Sequence, residues 1–198
     1  SEAFVIFVSD KFKYKDKKGI LPNDAIQKIN SFLNTLKVKN KDENVSSIDI
    51  TDKKKCFIIK IKSKYENYFP QEMGGSFFSY IKNFKHINKI DFYPDTLDFE
   101  REKLINFFAQ FIFGFNLKSY KFIKYKTLNK EKIAKSFNFQ IITSNKEKVE
   151  KKYKYFHAIK EGVFLARDLV SEPPNVLNPK AYVQEIKKLS KLGLNIKI

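Results

Sequence analysis

The residues able to do chemistry are few, and their spacing sets few of them up to cooperate. His86 and His157 are the two histidines of the chain. His157 and Glu161 stand four apart in a helical pattern, which can put two ligands on one face, but a metal site needs at least a third donor. The better reading is a solvated polar pair. Cys56, the single cysteine, lies in the apolar run Lys55-Cys56-Phe57-Ile58-Ile59, where a thiol is a small buried hydrophobe rather than a nucleophile. Gly74-Gly75-Ser76 lacks the spacing of a phosphate-binding loop and the Lys that completes one, so a close helix–strand packing point is expected. Asp95, Asp98, Glu100 and Glu102 gather just before and within a helix start, where carboxylates complement the helix dipole more readily than they form an acid–base pair. Lys146, Lys148, Lys151, Lys152 and Lys154 read as a solvated helix face rather than an anion-binding patch. Arg167-Asp168 is suited to salt bridges across a junction, or to covering a helix end. No catalytic or metal-binding constellation emerges from the residue types and their spacing.

Elements that would position such groups follow from the apolar periodicity. Alternation and β-branched enrichment predict strands near 3–8, 46–51, 55–62, 89–93 and 137–143. Between them, Pro22-Asn23-Asp24 opens a helix carrying Ile26, Ile29, Phe32, Leu33 and Leu36 on one face. A second helix is expected over about 70–85. A third, about 97–117, spreads Leu104, Ile105, Phe107, Phe108, Phe111, Ile112 and Phe115 over so wide an arc that it must be largely buried. The longest runs from near Asn145 to Ser171, roughly 40 Å at 1.5 Å per residue, the length of a helix that bridges two bodies. Pro173-Pro174 stops it, Pro179 starts a last helix to about 191, and Leu194–Ile198 reads as a strand just beginning. That strand has no later partner, which suggests truncation. Strands alternating with helices predict an α/β domain over 1–144, a linking helix over 145–171, and the beginning of a second domain over 172–198.

Composition narrows the class. The chain has 198 residues with 42% hydrophobic and 21 Phe, enough for one packed domain and the start of another. Its net charge of +17 invites a nucleic-acid reading, but Arg occurs at 101 and 167 alone. The excess is lysine spread along the chain, whereas base and phosphate recognition favours the arginine fork. No apolar run approaches a membrane span, no signal sequence opens the chain, and a lone cysteine fits a reducing compartment. A cytoplasmic protein is expected.

Two segments carry a resemblance. The stronger includes Gly162, Leu165, Ala166, Arg167, Asp168, Leu169, Val170, Pro173, Pro174, Asn175, Leu177 and Pro179. It is similar to the junction between the two domains of the leucyl (cytosol) aminopeptidases, peptidase family M17, with Ser171 standing where that family usually has Asn. The second, with Gly114, Leu117, Tyr120, Phe122, Tyr125, Lys126 and Thr127, is similar to a segment late in that family's N-terminal domain. Arg167, Asp168, Pro173, Pro174, Asn175 and Pro179 are thereby marked as the interdomain linker motif.

The resemblance implies a macro-domain-like α/β fold with a mixed sheet flanked by helices, then the linking helix, then the first turns of a catalytic peptidase domain. It also implies two divalent ions (Mn²⁺, Zn²⁺ or Mg²⁺) that activate a bridging water for release of N-terminal residues from peptides, and a homo-hexamer. The family's metal ligands lie in downstream motifs that no position here matches. None of its catalytic, metal-binding or substrate-binding residues is therefore assigned to this chain, and the 198 residues are expected to be inactive alone. The alternative is a DNA- or nucleotide-binding module using the basic N-terminal domain.

Overall fold

A computed structural model describes residues 2–16, 19, 21, 23–38, 43–127 and 136–197. Pro22 and Ile198, expected at a helix start and in a strand, lie outside these residues. The first strand, β1 (Ala3–Ser9), is apolar without alternation, and every residue from Ala3 to Val8 is buried. That pattern belongs to a strand covered on both faces, and β1 lies in the interior of a five-stranded sheet. With β2 (Val45–Thr51), β3 (Lys54–Ile61), β4 (Lys89–Tyr93) and β5 (Asn138–Ile141), the order is β2-β3-β1-β4-β5. β3, β1, β4 and β5 run parallel, and β2 closes one edge antiparallel to β3.

Each face has its own core. Helix α1 (Asn23–Val38) places Ala25, Ile29, Leu33 and Leu36 at helical spacing against Phe4, Ile6 and Val8 of β1 and Cys56 and Ile58 of β3. The opposite face takes Val5, Phe7, Phe57, Ile59 and Phe92 beneath α2 (Phe69–Ile81) and α3 (Arg101–Ser119). Buried residues surround much of α3, from Leu104 to Phe115, because the sheet, α2 and the long helix α4 (Lys146–Ser171) all pack on it. Phe111 sits at the centre, its ring within 5.3 Å of Phe7 and 5.9 Å of Phe92 by centroid.

The glycine pair does mark a close approach, but between two helices. A methyl at Gly74 would lie 2.0 Å from the Phe111 carbonyl oxygen on α3, and one at Gly114 would lie 1.9 Å from the Gln71 carbonyl oxygen on α2. Two glycines thus face each other's backbones where α2 crosses α3.

Helix α4 is long, at 26 residues, but only Val149 on it is buried. Tyr153 and Phe156 touch α3, through a 2.7 Å hydrogen bond donated by Asn116 Nδ2 to the Tyr153 hydroxyl and a Phe113–Phe156 ring contact. Glu172, extended ahead of Pro173-Pro174, ends the helix. Helix α5 (Pro179–Lys188) follows, with Asn178 Oδ1 accepting from the Ala181 amide at 3.0 Å as its cap. Residues 194–197 form no strand, contrary to expectation. An alternating apolar pattern becomes a strand only beside a neighbour that completes its hydrogen bonds, and residues 189–192 here curl into a 3₁₀ turn ended by Gly193 at φ 85°.

Candidate functional site

Two places bring polar groups together. At the first, Arg167 and Asp168 on α4 meet the chain that leaves α3. Arg167 Nη1 donates to the Leu117 carbonyl at 3.2 Å, and its guanidinium lies 5.3 Å from the centre of the Tyr120 ring. The Tyr120 hydroxyl donates to Asp168 Oδ1 at 2.8 Å, and its ring packs on Phe164. One turn further, Glu172 accepts from Lys124 Nζ at 2.6 Å and from the Tyr125 hydroxyl. Those two donors hold the Glu172 carboxyl below its ordinary pKa. A carboxylate lowered in the folded state contributes stability above its unfolded pKa and loses it as pH falls through the folded value, so this contact loosens only in acid. Leu177 and Val176 amides both donate to the Pro173 carbonyl at 2.9 Å, turning the chain toward α5. Pro174 and Asn175 lie exposed on this turn, and Pro179 is exposed at the start of α5. The two segments similar to one family, far apart in sequence, are therefore clamped together. Nothing in the sequence announced that contact, because tertiary pairing of a tyrosine with an arginine leaves no periodic trace.

The second place is the crevice between β1 and β4. Their ladder ends at Ile6 and Tyr93. Beyond it the chain from β1 goes to α1 on one face, while the chain from β4 goes to α3 on the other. Strands that part in this way leave a crevice at their carboxyl ends, the usual binding position in open α/β sheets. Here it is a cavity of about 420 Å³ lined by Lys15, Asp16, Tyr93, Asp95, Thr96, Asp98, Arg101, Ser144 and Asn145 over an apolar floor including Leu21, Leu97, Phe99 and Leu104.

The acidic cluster serves this crevice rather than the helix dipole alone. Asp95 accepts from the Ser144 amide and hydroxyl, each at 2.9 Å, and from the Thr143 hydroxyl, tying β4's end to β5's. Asp98 pairs with Lys15. Glu100 precedes α3 without capping it, and Glu102 lies in the first turn. Buried Thr96 donates to the Tyr93 carbonyl at 2.8 Å and accepts from the Phe7 amide at 2.8 Å, replacing the ladder where β4 turns away. Thr96→Val should therefore strand the Phe7 amide inside the central strand and cost about 1–3 kcal/mol, read as a lower denaturant midpoint at unchanged slope.

The remaining candidates are dispersed. His157 Nε2 lies 3.7 Å from Glu161 Oε1, both exposed, and Glu161 is held at 2.6 Å by Lys160. Cys56 is buried, and burial pushes its thiol pKa far up. His86 is exposed in the turn before β4. Among the described residues no three His, Cys, Asp or Glu side chains gather to hold a metal ion, and no helix is long and apolar enough to cross a membrane.

No protein-family model matches the chain. It is 42% identical over 93 residues to a probable cytosol aminopeptidase of Rhizobium leguminosarum bv. trifolii, covering 46% of this chain and 19% of that protein. To the probable cytosol aminopeptidase of Phytoplasma mali it is 37% identical over 130 residues, covering 63% of this chain and 25% of that protein. The chain thus spans about a quarter or less of the curated relatives it matches. Its fold is similar to that of tomato leucine aminopeptidase, with a TM-score of 0.69 at 18% identity over 96% of this chain and 39% of the other. It is also similar to the bottromycin maturation enzyme BotP solved in complex with Mn, with a TM-score of 0.62 at 13% identity over 96% and 36%. By motif, partial-chain identity and fold, this chain is a relative of the leucyl (cytosol) aminopeptidases, peptidase family M17, and corresponds to their N-terminal region.

Proposed function

We propose that the chain is the N-terminal portion of a two-metal leucyl aminopeptidase. In this reading residues 1–144 are a macro-domain-like α/β domain, 145–171 the linking helix, and 172–198 the start of the catalytic domain. The observation that carries the reading is the clamp: Tyr120, Lys124 and Tyr125 grip Asp168 and Glu172, so the two segments that resemble the family meet where α4 leaves the sandwich. Exposed apolar side chains beyond that point, among them Val170, Tyr182, Leu192 and Leu194, support it, since such surface asks for cover by a further body.

The portion's own role is assembly or control of access to the active site, in a cytoplasmic homo-hexamer acting on peptides. The two divalent ions of such an enzyme would supply an activated water and polarise the scissile carbonyl. The residues here do not fit them, because among the described residues no three His, Cys, Asp or Glu side chains gather, and the exposed His157–Glu161 pair has its Glu161 committed to Lys160. No step of hydrolysis therefore runs through this chain. The purified 198-residue chain should release no p-nitroaniline from L-leucine p-nitroanilide with Mn²⁺ above a protein-free blank. Metal-dependent turnover that survives repurification would overturn the reading. The DNA- or nucleotide-binding alternative has no observation behind it here.

A further inference from the structure

The crevice at the carboxyl ends of β1, β4 and β5 is not absorbed by that function, and its groups are unevenly committed. Asp95 is saturated by Ser144 and the Thr143 hydroxyl, Asp98 is neutralised by Lys15, and Asp16 accepts from the Leu21 amide at 3.2 Å. Arg101 differs. Its Nε donates to Asn145 Oδ1 at 2.8 Å, which fixes the plane of the guanidinium, and among the described residues no carboxylate pairs with it. A guanidinium held by one edge leaves its two terminal nitrogens as a fork suited to a planar carboxylate. Beneath it the floor is Leu21, Leu97 and Leu104 with the rings of Tyr93 and Phe99. Leu21 and Leu97 are buried beneath this opening, at 3% and 6% exposure.

We propose that this cavity is a binding site for a free apolar amino acid, with the α-carboxylate on Arg101 and the side chain on the leucine floor. The volume, about 420 Å³, falls in the range of small-molecule pockets and exceeds what one such ligand fills. The charge balance selects the class. Three carboxylates and two cations line the cavity, which leaves it net negative, so a dianionic phosphate is opposed by its surroundings, whereas a zwitterion adds no net charge and its carboxylate needs Arg101 alone. The Arg101 fork and the apolar floor are separate observations that agree on a monocarboxylate with an aliphatic or aromatic body. Rank within the class follows size, with Leu and Phe ahead of Ala.

The biological sense of the ligand, sensing of a released product, rests on the aminopeptidase reading. The binding does not, and its test uses no catalysis. The ¹⁵N-labelled chain is titrated with L-leucine, N-acetyl-L-leucine, L-leucinamide and inorganic phosphate while its amide shifts are followed. Expected is saturable binding of leucine near about 1 mM, as suits so small a ligand, with shifts confined to the lining of the crevice, at and beside Lys15, Asp16, Leu21 and residues 93–104 and 142–145. Leucinamide, lacking the carboxylate, and Arg101→Gln against leucine should each bind about ten-fold more weakly or worse. Arg101 is exposed, so the variant should melt like the parent. N-acetyl-leucine should retain the carboxylate contact and bind. Equal binding of leucine and leucinamide, unchanged affinity in R101Q, tighter binding of phosphate than of leucine, or no saturable shift with leucine each overturns the proposal. Binding that succeeds while the chromogenic assay also shows turnover would leave the site standing and remove the reading of the function.

Discussion

Gly114→Ala is expected to destabilise the fold by at least about 3 kcal/mol, at or above the upper end of ordinary overpacking effects. The added methyl would lie 1.9 Å from the Gln71 carbonyl oxygen, 2.5 Å from its carbon and 2.6 Å from the Gln71 Cα. All three are backbone atoms of α2, so no side-chain rotation can relieve the contact. The helices must separate, and Phe77, Phe78, Phe111 and Phe115 between and beneath them lose contact together. Gly74→Ala meets the Phe111 carbonyl oxygen at 2.0 Å and should behave alike. Intrinsic helix propensity argues the opposite way, favouring alanine over glycine by about 1 kcal/mol. Gly75→Ala tests which effect governs each position. Its nearest neighbours lie at 3.7 Å, so propensity should win there and raise stability slightly. Denaturant midpoints for the three variants decide the matter. A Gly114→Ala protein as stable as its parent would show that α2 and α3 do not cross at these glycines.

Phe111→Ala is the second large effect, at about 3–5 kcal/mol, the range for emptying a buried aromatic site. The ring is fully buried and touches those of Phe7, Phe77, Phe92, Phe107 and Phe108. It thus joins β1, β4, α2 and α3 at one point. Its neighbours are held by helix and strand backbones that cannot collapse fully into the space, so the cavity term adds to the lost transfer energy. Phe111→Leu keeps much of the volume and should fall clearly between the parent and the alanine variant. Since small domains have roughly 5–15 kcal/mol in hand, Phe111→Ala should leave the fold marginal, seen as a broad loss of its near-ultraviolet signal well below the parent's melting temperature.

Much of this architecture is legible in the residues. The apolar, β-branched run of β1 marks a strand, although it is buried without the alternation expected of it. The crowded phenylalanines of α3 mark a helix with neighbours on several sides, and Pro173-Pro174 fixes the end of α4. Less legible was whatever depends on which element meets which. Gly74-Gly75 signalled a close approach, but the partner helix and the answering Gly114 come from three-dimensional crossing, which no local pattern encodes. Asp95 looked like a residue serving a helix dipole because it lies near a helix start. Its hydrogen bonds to Thr143 and Ser144 depend on β4 and β5 being adjacent. Leu194-Asn195-Ile196-Lys197 alternates like a strand, but alternation states only which side chains would share a face. The neighbour that makes a strand is absent from the described residues. The crevice was invisible for the same reason: it is built by strand order, and order is not written in periodicity.

The position of β1 in the sheet has a consequence for how the chain acquires its shape during synthesis. Ala3 pairs with Lys55 on one side and Ile90 on the other, so β1 precedes both of its sheet neighbours in the chain and must wait for each of them. At about 5–20 residues per second, some 4–18 s pass between the emergence of β1 and that of β4. Over that interval Ala-Phe-Val-Ile-Phe-Val is an uncharged segment of high β-propensity with at least one edge open, the kind that associates with other nascent chains. Pairing at such long separation also makes the search slow once it can begin. The lysines spread over the rest of the chain bear on this interval, since like charge opposes the association of unfinished copies.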